Sequence, residues 1–357
     1  MLLILVGSTQ TRLHRDAYVP KSCLILEQKG TFGVWGLCCS TPDRAFLALR
    51  GPGSVRAVNL SAARAGLQCL ELDPYRCEDP NGFVRGLCFI PEEVEVEGAC
   101  AGAVVSSSCG RGTLLLCTTE LVGERAGEWL VSIACEPSAA AREAWPVTHR
   151  IPSMDRGGPV FFSALGPDRH SSGGGTLILC AESNARFLQL LRLANRRQIV
   201  QVSRIPMPDG GRSFIARADY HTTIGNHQEY QLLTFHGNET VRLYRLKLEQ
   251  PHELSKLCEI QLTNPYRAMW IGYRIFVSYR PATSECHSVV ELRLEQSPAK
   301  PRENGQQNLS QCSIFNLIQT PTNLTDRVIN EWCSVGHTSL AIHDMTSRGL
   351  YIYSVIE

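Results

Sequence analysis

GTLILCAESNARFLQLLRLANRRQIVQVSRIP, Gly175 to Pro206, holds three apolar runs separated by two short polar breaks. In its first run, Leu177 to Cys180, four successive positions are apolar, the pattern of a strand covered on both faces. The second break, Asn195-Arg196-Arg197, is a basic turn between the other two runs. The stretch therefore reads as three antiparallel strands, with Ile199 to Ile205 nearest the edge.

The same plan recurs along the chain. Buried-type runs comparable to Leu177–Cys180 are Leu3 to Val6 (LILV), Phe46 to Leu49 (FLAL), Leu114 to Cys117 (LLLC), Leu232 to Phe235 (LLTF), Ile275 to Ser278 (IFVS) and Ser339 to Ile342 (SLAI). The following runs are more mixed. In SVVELRLEQ, Val290, Leu292 and Leu294 alternate with Glu291, Arg293 and Glu295, as in a half-buried strand. A leading strand precedes most buried runs, as in GFVRGLCFI from Gly82 and NPYRAMWIG from Asn264, and a closing strand such as WPVTHRIP or SKLCEIQL follows.

The unit is thus four strands, and repetition of such units is the signature of a β-propeller, which protects its sheet edges by arranging blades around an axis. The expectation is an all-β fold in a single domain over residues 1–357. The strand pattern resembles the WD40-like propeller superfamily across nearly the whole chain. No Trp-Asp dipeptide occurs, so the resemblance implies an architecture and no site residues.

Seven units are visible, the first and last incomplete. The first, Met1 to Gly30, lacks a leading strand, and the last, Val328 to Glu357, lacks a closing one. This predicts seven blades on a chain shortened at its N-terminus, or a ring that closes imperfectly. The alternative is six blades, with the N-terminus supplying the last closing strand. PSAAAREAW, Pro137 to Trp145, is the one modest helical candidate and is expected to be a loop excursion.

Composition bounds the function. The 357 residues are 43% hydrophobic and 19% charged with a net charge of +1, enough for a large core and without a global field for nucleic acid or anionic membrane. No window approaches the roughly 18 apolar residues of a membrane span, and the apolar run Leu2 to Val6 is too short for a secretory signal. An intracellular protein, cytoplasmic or nuclear, is expected, so the sequons at Asn59, Asn238, Asn308 and Asn323 are not expected to carry sugar. Many of the fifteen cysteines lie inside apolar runs and read as small buried hydrophobes.

No Cys-x-x-Cys, P-loop, dinucleotide-binding or hydrolase fingerprint is present. The glycine-rich SSGGGT, Ser171 to Thr176, leads to no helix and reads as a hairpin loop. Asp219, His221, His227 and His236 form the one local histidine cluster and read as a solvated turn. No catalytic residue, metal ligand or cofactor is expected.

The chain is read as a non-enzymatic scaffold that binds other proteins through loops on one face or at the rim. Basic residues concentrate in one unit, and Arg192, Arg196, Arg197 and Arg204 are the candidate ligand-binding residues for an acidic peptide or a phosphoinositide headgroup. Lipid binding is an alternative, although the arginine pair is followed by Gln198 where phosphoinositide-binding propellers carry glycine. A second alternative is a six-bladed metal-dependent hydrolase with acidic or histidine ligands at the channel mouth.

Overall fold

The computed structural model describes residues 3–6, 20–26, 36–39, 46–50, 53–59, 71–91, 93–95, 104–106, 112–123, 126–135, 145–153, 161–168, 174–181, 185–195, 198–211, 214–218, 229–237, 239–248, 252–271, 274–296, 315–321, 328–335, 339–346 and 349–354. Every regular element among them is a strand. In chain order these are β1 (Leu3–Val6), β2 (Pro20–Leu26), β3 (Gly36–Cys39), β4 (Phe46–Arg50), β5 (Ser54–Asn59), β6 (Glu71–Arg76), β7 (Phe83–Pro91), β8 (Glu93–Glu95) and β9 (Val104–Ser106). They continue with β10 (Gly112–Glu120), β11 (Gly127–Cys135), β12 (Val147–Pro152), β13 (Phe161–Pro167), β14 (Thr176–Ala181), β15 (Ala185–Ala194), β16 (Gln198–Gly211), β17 (Phe214–Ala218) and β18 (Glu229–His236). The last are β19 (Thr240–Lys247), β20 (Glu253–Gln261), β21 (Pro265–Ile271), β22 (Arg274–Tyr279), β23 (Ser288–Gln296), β24 (Phe315–Pro321), β25 (Ile329–Val335), β26 (Ser339–Asp344) and β27 (Gly349–Ser354).

Five sheets have four antiparallel strands: β3 to β6, then β7-β10-β11-β12, β13 to β16, β17 to β20 and β21 to β24. A sixth has five strands in the order β25-β26-β27-β2-β1, and β8 and β9 form a separate ribbon between β7 and β10 in the chain. The first strands touch in a closed cycle, β3 to β7, β13, β17, β21, β25 and back to β3. Up-and-down sheets whose first strands form a closed ring are the arrangement of a β-propeller.

Six of the seven buried-type runs, all but Leu3–Val6, are the second strands of their sheets, and their lack of alternation has a packing cause. In β10, Leu114 and Leu116 enter a cluster with Ala48, Val55 and Tyr75 of the preceding sheet, while Leu115 and Cys117 meet Ile178 and Cys180 of the following one. In β14, Leu177 and Leu179 turn the other way, to Tyr230, Leu232 and Tyr244. Both faces of a second strand are therefore dry. Each fully buried leucine contributes about 1.5–3 kcal/mol by the area removed from water.

Side chains also stitch neighbouring sheets. The Ile199 N–H donates to His149 Nδ1 at 3.1 Å, Ser203 Oγ and His252 Nε2 are 2.8 Å apart, and the Ile329 N–H donates to His287 Nδ1 at 3.0 Å. Cys117 and Cys180 are fully buried, and burial pushes the thiols of Cys77 and Cys88 up to about 11 and about 12. Of the expected SSGGGT hairpin, Gly174 and Gly175 have φ of +60° and +121°, and the Gly175 carbonyl accepts the Asp168 N–H at 2.8 Å. A side chain at Gly175 would bring its Cβ to 2.7 Å from the Leu193 carbonyl oxygen.

The seven-unit expectation changes at the termini. β2 pairs antiparallel with β27, from Pro20 opposite Tyr353 to Ile25 opposite Gly349, and so supplies the closing strand missing from the last unit. β1 then folds back on β2, Leu3 opposite Leu26. The first and last units are one sheet, as in the alternative with N-terminal closure, and Leu3–Val6 is an outer fifth strand, not the second strand of a separate blade. Pro137 to Ala144 of the helical candidate lie outside the described residues.

Candidate functional site

In every four-stranded sheet the turn from second to third strand lies at the end where the first strand begins. This end of the ring gathers exposed apolar side chains. Leu121 and Val122 follow β10, Met345 follows β26, and Tyr266 stands at the start of β21, with 57%, 65%, 63% and 38% of their surfaces exposed. Asp79 shapes the first of these loops: its Oδ2 accepts the N–H groups of Leu121 and Val122 at 2.6 and 2.9 Å, and its Oδ1 accepts that of Asn81 at 2.8 Å. These donors, Asn81 foremost, hold the Asp79 carboxyl below its usual range.

On the same face, a cleft of about 680 Å³ opens between the β21–β24 sheet and the β25–β27 sheet. Its floor includes Pro265, His287 and Ile329, and its walls include Asn264, Tyr266, Arg280, Glu285 and Met345. Local hydrogen bonds fix the 280–287 loop. Asn264, at φ +47°, accepts the Arg280 N–H on its carbonyl at 3.1 Å and donates its side-chain amide to the Arg280 carbonyl at 3.5 Å. The Ser284 N–H closes a turn on the Pro281 carbonyl at 3.2 Å, and Ser284 Oγ accepts the Cys286 N–H at 3.1 Å.

His287 is buried, and because its Nδ1 accepts the Ile329 N–H, the proton of the neutral ring sits on Nε2. Its ring lies 5.0 Å from that of Tyr266 at 42°. The Met345 N–H bonds the Val328 carbonyl at 2.9 Å, tying the loop after β26 to the start of β25. The cleft is thus preformed from both sheets.

Beneath Tyr266, Arg267 holds the ring centre together. Its Nη2 lies 2.6 Å from Glu331 Oε1 on the next first strand, and its guanidinium stands 5.2 Å from the Phe161 ring and 5.4 Å from that of Tyr266. Phe161 belongs to β13, two sheets away from β21, so this contact reaches across the middle of the ring.

Of the four sequence-predicted arginines, the described residues include Arg192 and Arg204, which do not converge. Arg192 Nη1 is 3.4 Å from Asp168 Oδ2, and Arg204 is exposed with its guanidinium 4.7 Å from the Phe187 ring. Arg204 stands opposite Gln189, and Arg192 is three positions along the same strand, so the two side chains leave opposite faces of the sheet. Arg196 and Arg197 lie outside the described residues.

Asp219, His221 and His227 lie outside the described residues. His236 is buried, with its Nε2 bonded to Thr234 Oγ1 and 3.5 Å from the Tyr244 hydroxyl. Among the described residues no three His, Cys, Asp or Glu side chains gather as a metal site would require. No helix among them is long and apolar enough to cross a membrane. The cleft residues escaped the sequence reading because Arg280-Pro281-Ala282-Thr283-Ser284-Glu285 has the composition of an ordinary polar turn.

No protein-family profile and no curated protein matches the chain. Solved propellers are similar to it in fold. The Cps50 (Swd1) β-propeller domain of Myceliophteria thermophila is 12% identical, with 94% of this chain and 100% of that chain covered and a TM-score of 0.43. The WD40 domain of SCAP from fission yeast is 9% identical, with 98% of each covered and a TM-score of 0.40. The periplasmic gluconolactonase of Pseudomonas aeruginosa is 14% identical, with 99% and 92% covered and a TM-score of 0.42. Two propeller domains and a gluconolactonase stand side by side in this set, and the propeller assignment rests on the sheets themselves.

Proposed function

We propose that this chain is a six-bladed, non-enzymatic propeller scaffold that binds other proteins within an intracellular complex through the face carrying Leu121, Val122, Tyr266 and Met345. The observation that carries the reading is the gathering of these exposed apolar side chains on turns at one end of the ring. Apolar side chains held out on braced turns are suited to burial against a partner, where aromatic and methionine side chains contribute disproportionately. The rigid sheets beneath reduce the ordering cost of association.

The test is quantitative affinity purification from the native cell with wild type, the double variant Leu121→Asp with Val122→Asp, and Met345→Asp. The expected result is that a common set of partners is lost from these variants, while circular dichroism shows unchanged folding. An unchanged partner set in all variants would overturn the reading.

A further inference from the structure

The half-buried arginines Arg150, Arg192, Arg245, Arg267 and Arg274 each sit against a carboxylate, at 2.6 to 3.4 Å. Arg280, by contrast, is exposed, one residue past the end of β22. Its Nε donates to the Ser284 carbonyl at 3.3 Å, and among the described residues no carboxylate lies within ion-pair distance. With Nε engaged by the loop, the two terminal nitrogens are left as an oriented pair of donors at the wall of the cleft. A guanidinium so held matches a carboxylate in a bidentate pair.

The remaining lining defines what accompanies that carboxylate. Tyr266 and Met345 offer apolar surface from two different sheets, and Asn264 and Thr283 offer short polar groups between them. Glu285, on the same loop as Arg280, is exposed and has no cationic partner among the described residues. It would repel a second negative charge close to the first. A run of acidic residues is therefore disfavoured, and a single acid beside an apolar residue is favoured.

We infer that the cleft between the β21–β24 and β25–β27 sheets is a peptide-binding site that seats one acidic side chain on Arg280 and an adjacent apolar side chain against Tyr266 and Met345. This inference rests on the scaffold reading and names the chemistry of one of its partners. The occupant is an extended segment of another protein with an isolated Asp or Glu.

The probe is a library of random twelve-residue peptides displayed on phage, selected on the full chain and counter-selected on Tyr266→Ala, which leaves dependence on Arg280 free to appear or not. Retained peptides are then synthesised and measured by fluorescence anisotropy against wild type, Arg280→Ala, Arg280→Lys, Tyr266→Ala and Met345→Ala, each checked by thermal melting. Expected are peptides with one acidic residue next to an apolar one, weakened about tenfold or more by Arg280→Ala. Arg280→Lys should weaken them less, because it keeps the charge and loses the fork. Replacing the peptide's Asp by Asn, or Glu by Gln, should weaken binding to wild type and cost nothing further on Arg280→Ala.

Retained peptides without an acidic residue, or peptides that bind Arg280→Ala as well as wild type, would overturn the inference. If such peptides still depend on Leu121 and Val122, the scaffold reading stands and only the cleft chemistry fails. If no peptide is retained and the purified partners ignore the cleft variants as well as the turn variants, both fail together.

Discussion

His343, on β26, is the residue whose protonation the fold opposes most plainly. Burial pushes its imidazole down to about 4, against the smaller opposing pull of the Asp344 carboxylate. In the unfolded chain the ring titrates near 6.5, so above that pH both states are neutral and the group has no effect. As pH falls from about 6.5 towards 4, the unfolded state takes up a proton that the folded state refuses, and stability is lost, by about 3 kcal/mol at the lower end. Urea unfolding of wild type and His343→Gln at pH 7 and pH 4.5 should show a smaller acid-induced loss in the variant. An equal loss in both would place the acid sensitivity elsewhere. At this scale the sequence was a weak guide: Arg192 pairs with Asp168, 24 residues earlier and just past the end of β13, and no local pattern announces that pairing.

At the scale of the strand, legibility follows from what each strand touches. Leu114–Cys117 and Leu177–Cys180 could be read as buried because alternate residues face two different sheets and all must be apolar. The leading and closing runs could be read from turn spacing alone, and GFVRGLCFI, NPYRAMWIG, WPVTHRIP and SKLCEIQL correspond to β7, β21, β12 and β20. Leu3–Val6 has the same apolar pattern as those second strands yet occupies an outer position, because its place depends on the pairing of β2 with β27, over 300 residues away. Composition cannot encode that distance. Removing residues 1–26 should leave β27 as a bare edge, lower the melting temperature by several degrees and promote association on size-exclusion chromatography. A synthetic peptide of residues 18–28 added in trans should recover part of the loss. A truncated chain that melts like wild type would show that β2 does not brace the ring.

At the scale of the molecule, the hydrophobic clusters lie between consecutive sheets and not within them, so no blade owns a core of its own. Single-domain behaviour over the whole chain is the expected outcome: differential scanning calorimetry should give one transition, with the calorimetric and van't Hoff enthalpies in agreement. Two resolved transitions would divide the ring into independent halves. Arg267 contributes to this unity from the centre, since one side chain meets Glu331 on a neighbouring sheet and Phe161 on a more distant one. The candidate site belongs to the same scale. Tyr266 and Arg280 come from one sheet and Met345 from the next, so the cleft exists only once adjacent blades are docked.

The pairing of β2 with β27 also sets a timetable for biosynthesis. β2 leaves the ribosome well before its partner, with 322 residues between Leu26 and Gly349. At the usual elongation rates of about 5–20 residues per second, this hairpin waits on the order of tens of seconds for the strand that completes its sheet. During that interval its edge is open to any extended segment nearby, an exposure that ends when β27 emerges.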